Sequence, residues 1–337
     1  MNILAIESSC DETSAAVLAN GTLLSNVIAT QLIHERYGGV VPELASRAHQ
    51  QHILPVVERA LADANIPKTE LSAIAFTRGP GLLGSLLVGT SFAKAMALGL
   101  QIPLIEVNHM QAHVLAHFID EPGTSRNKPT FPFLCLTVSG GHTQIVRIDS
   151  PLEMAVIGQT QDDAVGEAFD KSAKLLGLPY PGGPLIDKYA KEGNPLAYRF
   201  PMSEMPDLNF SFSGIKTAIL YFLRDHLKTN PDFITQNLPD ICASIQYTLI
   251  QMLLKKVKRA AQETGIRQIA VAGGVSANSS LRASLTKLGD ELGWQVYIPQ
   301  FEYCTDNAAM IAMAAKFKYD QGDFTAQDVS PLPRMSF

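Results

Sequence analysis

Apolar residues along this chain fall into two kinds of pattern, and each predicts a different element. Short apolar runs bounded by turn-forming residues predict strands over 3–6, 73–76, 104–107, 133–138, 144–148 and 269–272. Other segments repeat at helical spacing. Apolar residues at 53, 54, 56, 57, 60 and 61 predict a helix over 53–64. A second is expected over 240–264, with Asp240 as its N-cap and Gly265 just past its end, and a last one over 307–319. Strands alternating with helices specify an α/β architecture with helices packed on sheets.

The most apolar long stretch, 82–100, carries Lys94 and three glycines and has no uninterrupted apolar run of about 18 residues, so no membrane span is expected. The N-terminus, MNILAIESSCDE, has no basic segment before its apolar run and meets Glu7 early; it does not read as a secretory signal. A soluble, cytoplasmic protein is expected.

One internal echo says more than any single element. Residues 3–19 run apolar strand, SSCDET turn, second apolar strand; residues 133–148 repeat that order around SGGHT. The two hairpins start about 130 residues apart, far beyond the roughly 20–50-residue periods of solenoids, which points to two copies of one domain. Segment 121–132 (EPGTSRNKPTFP), rich in Pro, Gly and charge, is the expected boundary. The N-terminal lobe is then expected to hold residues 1–128 plus the returning segment of about 307–337, and the C-terminal lobe residues 129–306.

Composition narrows the partners. A hydrophobic share of 46% is enough for two buried cores. Against 32 Asp and Glu stand 27 Lys and Arg, a net charge of −5. Bulk electrostatics therefore do not announce a nucleic-acid binder, and any RNA contact must rest on a local patch or a partner protein. Cys10, Cys135, Cys242 and Cys304 show no metal-knuckle spacing and form no disulfide framework, as expected of a reducing compartment.

Three small-residue turns each follow an apolar strand: Ser8-Ser9-Cys10-Asp11-Glu12-Thr13, Ser139-Gly140-Gly141-His142-Thr143 and Gly273-Gly274-Val275-Ser276-Ala277-Asn278. Glycines let backbone N–H groups approach an anion, and hydroxyls add donors. One such turn is usually only a tight bend; three together point to a nucleotide or acyl-phosphate cleft between lobes. None fits the P-loop or dinucleotide patterns.

His109 and His113 stand at i and i+4 directly after a strand, about 6 Å apart along a helix axis, so their rings can converge on one metal ion. His117, at i+8, is out of reach of the same ion. The alternative is that these rings line a packed or solvated face. Position 110 is Met, so the HExxH base of a zinc peptidase is missing. Asp306 is a candidate third ligand, although its place before an apolar helix suits a plain N-cap equally; Cys304 is a softer alternative. A His-His-Asp set with open positions suits iron(II) or zinc. Glu167, Asp170 and Lys174 share one helix face, ordinarily a solvated stripe, ahead of a Pro-Gly-Gly-Pro turn that could hold ribose hydroxyls.

Taken in order, AIESSCDET, YGGVVPELASRAH, TRGPGLLGSLLVG, VNHMQAH, TVSGGHTQ, DDAVGEAFDKSAKLLGLPYPGGP, FSFSGIKTA, AGGVSAN and CTDNAAMIA span residues 5–313. Together they resemble the bacterial TsaD family of tRNA threonylcarbamoyladenosine-synthesis transferases, once called O-sialoglycoprotein endopeptidases. The resemblance implies the duplicated actin–sugar kinase–heat-shock chaperone fold with two lobes and a central cleft. It implies transfer of a threonylcarbamoyl group from threonylcarbamoyl-adenylate to the exocyclic amine of the adenosine 3′ of the anticodon, in tRNAs reading codons that begin with A.

Carried over by motif, one divalent ion would be held by His109, His113 and Asp306. Substrate would meet Thr137, Val138, Ser139, Gly140 and Gly141, with Asp170, Gly183, Asp187 and Asn278 around the nucleotide. The family more often shows HMEGH; Gln111 and Ala112 stand here instead, which removes no imidazole but leaves no carboxylate inside the motif. Asp11 and Glu12 are the candidates for orienting the attacking amine, the alternative being that they fix the hairpin turn or pair with a lysine. The family's partners are tRNA, the paralogous actin-like TsaB, the small ATPase TsaE and the separate adenylate synthase TsaC. Rival readings are a small-molecule kinase of the same fold, a metallopeptidase and a non-catalytic nucleotide-sensing subunit.

Overall fold

The computed structural model describes residues 1–124 and 126–337, the side chains of residues 32 and 35 apart. Residue 125, inside the expected boundary segment, lies outside the described residues. The chain packs into two units: Met1–Pro129 with Asp149–Met154 and Pro299–Phe337, and Thr130–Ile148 with Ala155–Ile298.

The first unit is built on β1 (Asn2–Glu7), β2 (Glu12–Ala19), β3 (Thr22–Thr30), β4 (Ala73–Gly79) and β5 (Leu104–Asn108), in the order β3-β2-β1-β4-β5. β2 runs antiparallel to β1 and β3, while β4 is parallel to β1 and to β5. Helices cover both faces, which is why β1 is apolar at successive positions. Ile3 and Ala5 pack with the last helix, α9 (Ala308–Asp320), and with α3 (His109–Leu115). Leu4 and Ile6 pack with α1 (Pro42–Ala64) and α2 (Leu83–Leu100). By length and composition α2 is apolar enough to cross a membrane. Here it packs on β4 and α1, and Lys94 donates to the Val329 carbonyl.

The second unit repeats this plan with β6 (Phe133–Val138), β7 (Thr143–Ser150), β8 (Glu153–Gln159), β9 (Gln268–Ala272) and β10 (Gln295–Tyr297), ordered β10-β9-β6-β7-β8. β6 and β7 form the antiparallel hairpin, and β9 is parallel to β6. In each sheet the third, second, first, fourth and fifth strands of the unit follow one another, so the echo of the two hairpins extends to whole-sheet topology. α4 (Val165–Leu175), α5 (Gly182–Ala190), α6 (Ser213–Leu227), α7 (Phe233–Thr264) and α8 (Ser279–Leu292) supply the rest of its core.

Two helix starts differ from expectation. α1 begins at Pro42 and passes through Pro55, rather than starting at residue 53. Pro55 and Gln51 are exposed, so the Gln51 carbonyl that proline leaves without a helical partner can face water. α7 begins at Phe233 rather than residue 240 and contains Pro239. Asp240 is therefore not an N-cap; its carboxylate accepts from the Asn194 N–H. The expected end at Gly265 holds, with φ 73° supplying the left-handed cap.

Candidate active site

β5 runs straight into α3, and Asn108 makes the junction: its side-chain oxygen accepts from the N–H groups of Met110 and Gln111. This cap starts the helix at His109 and sets both histidines on one face. Their Nε2 atoms lie 3.1 Å apart. Asp306 Oδ1 lies 3.3 Å from His109 Nε2 and 3.2 Å from His113 Nε2. The alternative of Asp306 as an N-cap does not apply, because Asn307 caps α9 through the Met310 N–H and leaves Asp306 turned to the imidazoles. Cys304 lies outside this cluster, its thiol donating to the Gln300 carbonyl.

The three atoms suit a metal ion. Zinc–nitrogen bonds of about 2.0–2.1 Å put tetrahedral ligand atoms about 3.3 Å apart, close to the separations here. Two imidazole lone pairs facing one carboxylate oxygen also repel unless a cation or proton lies among them. His117 falls in the turn beyond α3 and is not part of the cluster.

The charges around the cluster run the same way. Burial alone would lift the Glu7 carboxyl, but the His109 imidazole beside it holds it below the usual carboxylate range. Asp306 is likewise lowered, burial being overcome by both histidines. Burial depresses His109, yet Asp306 and Glu7 more than offset it and raise its pKa. His113, with less carboxylate around it, stays below the ordinary histidine value through burial.

Asp11 lies in the β1–β2 turn and Glu12 opens β2. Burial first, then Asp306 and Asp11, push Glu12 up to about 9. Among the described residues neither carboxylate pairs with a Lys or Arg, so the lysine alternative is not realised. Their turn is pinned from behind. His49 Nε2 donates to the Cys10 carbonyl and its Nδ1 meets the Thr13 hydroxyl, at 3.0 and 2.8 Å. Ser85 donates to the same Cys10 carbonyl, and the Leu82 N–H to that of Ser9.

In the second unit the Ser139–Thr143 turn joins β6 to β7, and the Gly273–Asn278 turn leaves β9. Both lie at the carboxyl ends of parallel strands, where open α/β sheets bind ligands. Gly273, at φ +87°, carries the close approach: a Cβ there would stand 2.5 Å from the Val138 carbonyl oxygen. A Cβ at Gly140 or Gly141 would meet nothing within 4 Å, so a side chain at either position would enter open space. The Gly166 N–H, at the start of α4, donates to the Ser139 carbonyl. Thr137 and Val138 are wholly buried in β6, whereas Ser139 is half-buried and Gly140 and Gly141 are exposed.

The remaining nucleotide candidates each already hold an element in place. Asp170 accepts from the N–H groups of Gly182 and Gly183; burial raises its carboxyl while those donors oppose the rise. Asp187 accepts from the Ser279 N–H and hydroxyl. Asn278 caps α8 through the Leu281 N–H and donates to Gln246. The order α4, α5, α8 is thus tied together by the same side chains.

A family model described as tRNA N6-adenosine threonylcarbamoyltransferase (TsaD) matches residues 22–313. The chain belongs to the TsaD family. A relative of that name from Christiangramia forsetii is 64% identical over 337 residues, covering 100% of this chain and 98% of the relative. Another from Cytophaga hutchinsonii is 63% identical over 335 residues, covering 99% and 96%. Among solved structures, full-length HypF in a phosphate- and nucleotide-bound form matches with a TM-score of 0.64 and 14% identity, over 96% of this chain and 47% of HypF. HypF from T. kodakarensis gives 0.60 and 14%, over 97% and 48%. This chain therefore spans about half of each HypF chain, and the likeness shows the fold: duplicated α/β of the actin–sugar kinase–heat-shock chaperone type.

Within this TsaD-family chain, several residues at the site carry no role in the sequence reading, although all but Gln246 lie within its motifs. Glu7, Ser9 and Thr77 surround His109 or its carboxylate neighbour, His49 braces the turn, and Gln246 holds Asn278. The signal for Glu7 was a lone carboxylate ending a buried apolar strand. The substitutions inside the histidine motif are accommodated: Ala112 is fully buried in the core beneath α3, and Gln111 is half-buried on that helix.

Proposed function

We propose that this protein transfers the threonylcarbamoyl group of threonylcarbamoyl-adenylate to the N6 amine of the adenosine 3′ of the anticodon, in tRNAs reading codons that begin with A. The observation that carries this reading is membership of the TsaD family along nearly the whole chain, with relatives of that name 64% and 63% identical at full length. The amine nitrogen bonds to the carbamoyl carbon, the bond from that carbon to the adenylate phosphate oxygen breaks, and AMP leaves with the electron pair. The amine gives up one proton.

The N–H groups of the exposed Gly140 and Gly141, with the Ser139 hydroxyl, suit the departing phosphate. Gly183, Asp170, Asp187 and Asn278 would border the nucleoside. Asp11 and Glu12 would orient the amine, and a base at that point is worth about 10²–10⁴-fold. His109, His113 and Asp306 would hold one divalent ion, iron(II) or zinc. Such an ion supplies Lewis-acid polarisation or a template for the carbamoyl group.

Partners follow from the same reading: tRNA, TsaB and TsaE, with the adenylate delivered by TsaC. Leu83, Leu87 and Leu98 stand exposed on α2, which supports a protein partner on that helix. Four free cysteines accord with a cytoplasmic setting. The test is reconstitution with labelled threonine, bicarbonate, ATP, unmodified tRNA and the partner proteins. Label is expected in tRNA only when this chain is present; equal labelling without it overturns the reading.

A further inference from the structure

Glu7 ends β1 with its carboxylate wholly buried. One oxygen accepts from the Ser9 N–H at 2.5 Å. The other accepts from the Thr77 hydroxyl at 2.5 Å and faces His109 Nδ1 at 3.1 Å. Thr77 lies on β4 and His109 follows β5, so one side chain spans three adjacent strands. Among the described residues no Lys or Arg pairs with Glu7. Burying a carboxylate this way is costly, and an apolar residue would pack more cheaply if packing were all.

An ionised carboxylate can only accept, so the contact at 3.1 Å has His109 presenting a proton from Nδ1. That leaves Nε2 as the ring atom aimed at His113 and Asp306. The contrast with His113 is plain: its Nδ1 is buried without a hydrogen-bond partner. Only one of the two imidazoles is held from behind.

We propose that Glu7 is the positioning residue of the metal centre, holding His109 with its proton on Nδ1 so that Nε2 is free to ligate. This rests on the ligand assignment above. A carboxylate behind a ligating histidine fixes its ring and tautomer, and losing such a partner typically weakens metal binding by 10–100-fold.

In Glu7→Gln the amide can offer N–H to Nδ1, which would drive the ring proton to Nε2, the ligating atom. Titration of the full chain with Zn²⁺ or Co²⁺ alone should show binding about 10–100-fold weaker than wild type. Far-UV circular dichroism and a melting curve establish that the variant is folded; should it not fold, Glu7→Asp, one methylene short, should give an intermediate loss. Ser9 Oγ, 3.2 Å from the same Nδ1, is the rival partner. Ser9→Ala should stay within about threefold if Glu7 is the holder. In the Zn²⁺-loaded protein, a far-downfield Nδ1 proton of His109 should be present in wild type and absent in Glu7→Gln. Folded Glu7→Gln or Glu7→Asp binding as wild type does, or Ser9→Ala losing as much as Glu7→Gln, overturns the proposal. A wild-type chain that binds neither ion overturns the ligand assignment itself, a separate and recognisable failure.

Discussion

His109 carries opposite duties on its two nitrogens: one faces the Glu7 carboxylate and the other faces His113 and Asp306. Its loss therefore has two separable effects. His109→Ala should abolish stoichiometric metal binding and transfer together, and leave the Glu7 carboxylate short of a donor at a cost of about 1–3 kcal/mol. Metal content by mass spectrometry beside a melting curve checks both; a folded variant with full metal would remove His109 from the ligand set. At Gly140 the reverse is expected, because a side chain there meets no neighbour. Gly140→Val should leave the melting temperature unchanged and weaken AMP or adenylate-analogue binding at least tenfold, and unchanged affinity would count against the turn. The histidine pair was legible because i, i+4 spacing is itself a geometric statement. Glu7 was not, since nothing local shows which strand a buried carboxylate will neighbour.

Helix ends decide what Asp306 can do. A carboxylate just ahead of an apolar helix reads equally as cap or ligand, and only backbone geometry separates the two. Here Asn307 takes the cap, as Asn108 does for α3. Asn307→Ala should cost about 1 kcal/mol, lowering the melting temperature by about 2 °C, with metal content retained. Asp306→Ala should do the opposite: the ion is lost and the cap stays. Thermal melts paired with metal analysis distinguish the two patterns, and loss of metal in Asn307→Ala without loss of Asp306 would show that capping and ligation are not separable. The starts of α1 and α7 were hidden for a related reason. Their first turns hold few periodic apolar residues, and Pro55 and Pro239 are tolerated within helices whose stability comes from packing further along.

Across the whole chain, two copies of one sheet topology carry different chemistry at equivalent turns: SSCDET, with carboxylates, in the first and SGGHT, with exposed glycines, in the second. The hairpins made the duplication legible. The outer strands β3, β8 and β10 did not, being half-exposed or very short. Each unit is also stapled by a carboxylate held below its ordinary pKa. In the first, the Tyr303 hydroxyl and then Arg126 lower Glu121. In the second, burial of Asp162 is outweighed by the Ser211 hydroxyl and by the N–H and hydroxyl donors of Phe212 and Ser213, which secure the start of α6. A folded pKa below the unfolded value of about 3.9 means the ionised form is the one the fold prefers. Its stabilisation is complete above about pH 4 and disappears as pH falls through the lower folded value. Asp162→Asn should therefore lower the urea midpoint relative to wild type at pH 6–7, and the gap should close as pH falls below about 4. A gap of constant size from neutral to acid pH would mean that Asp162 stabilises the turn by shape alone, with its charge playing no part.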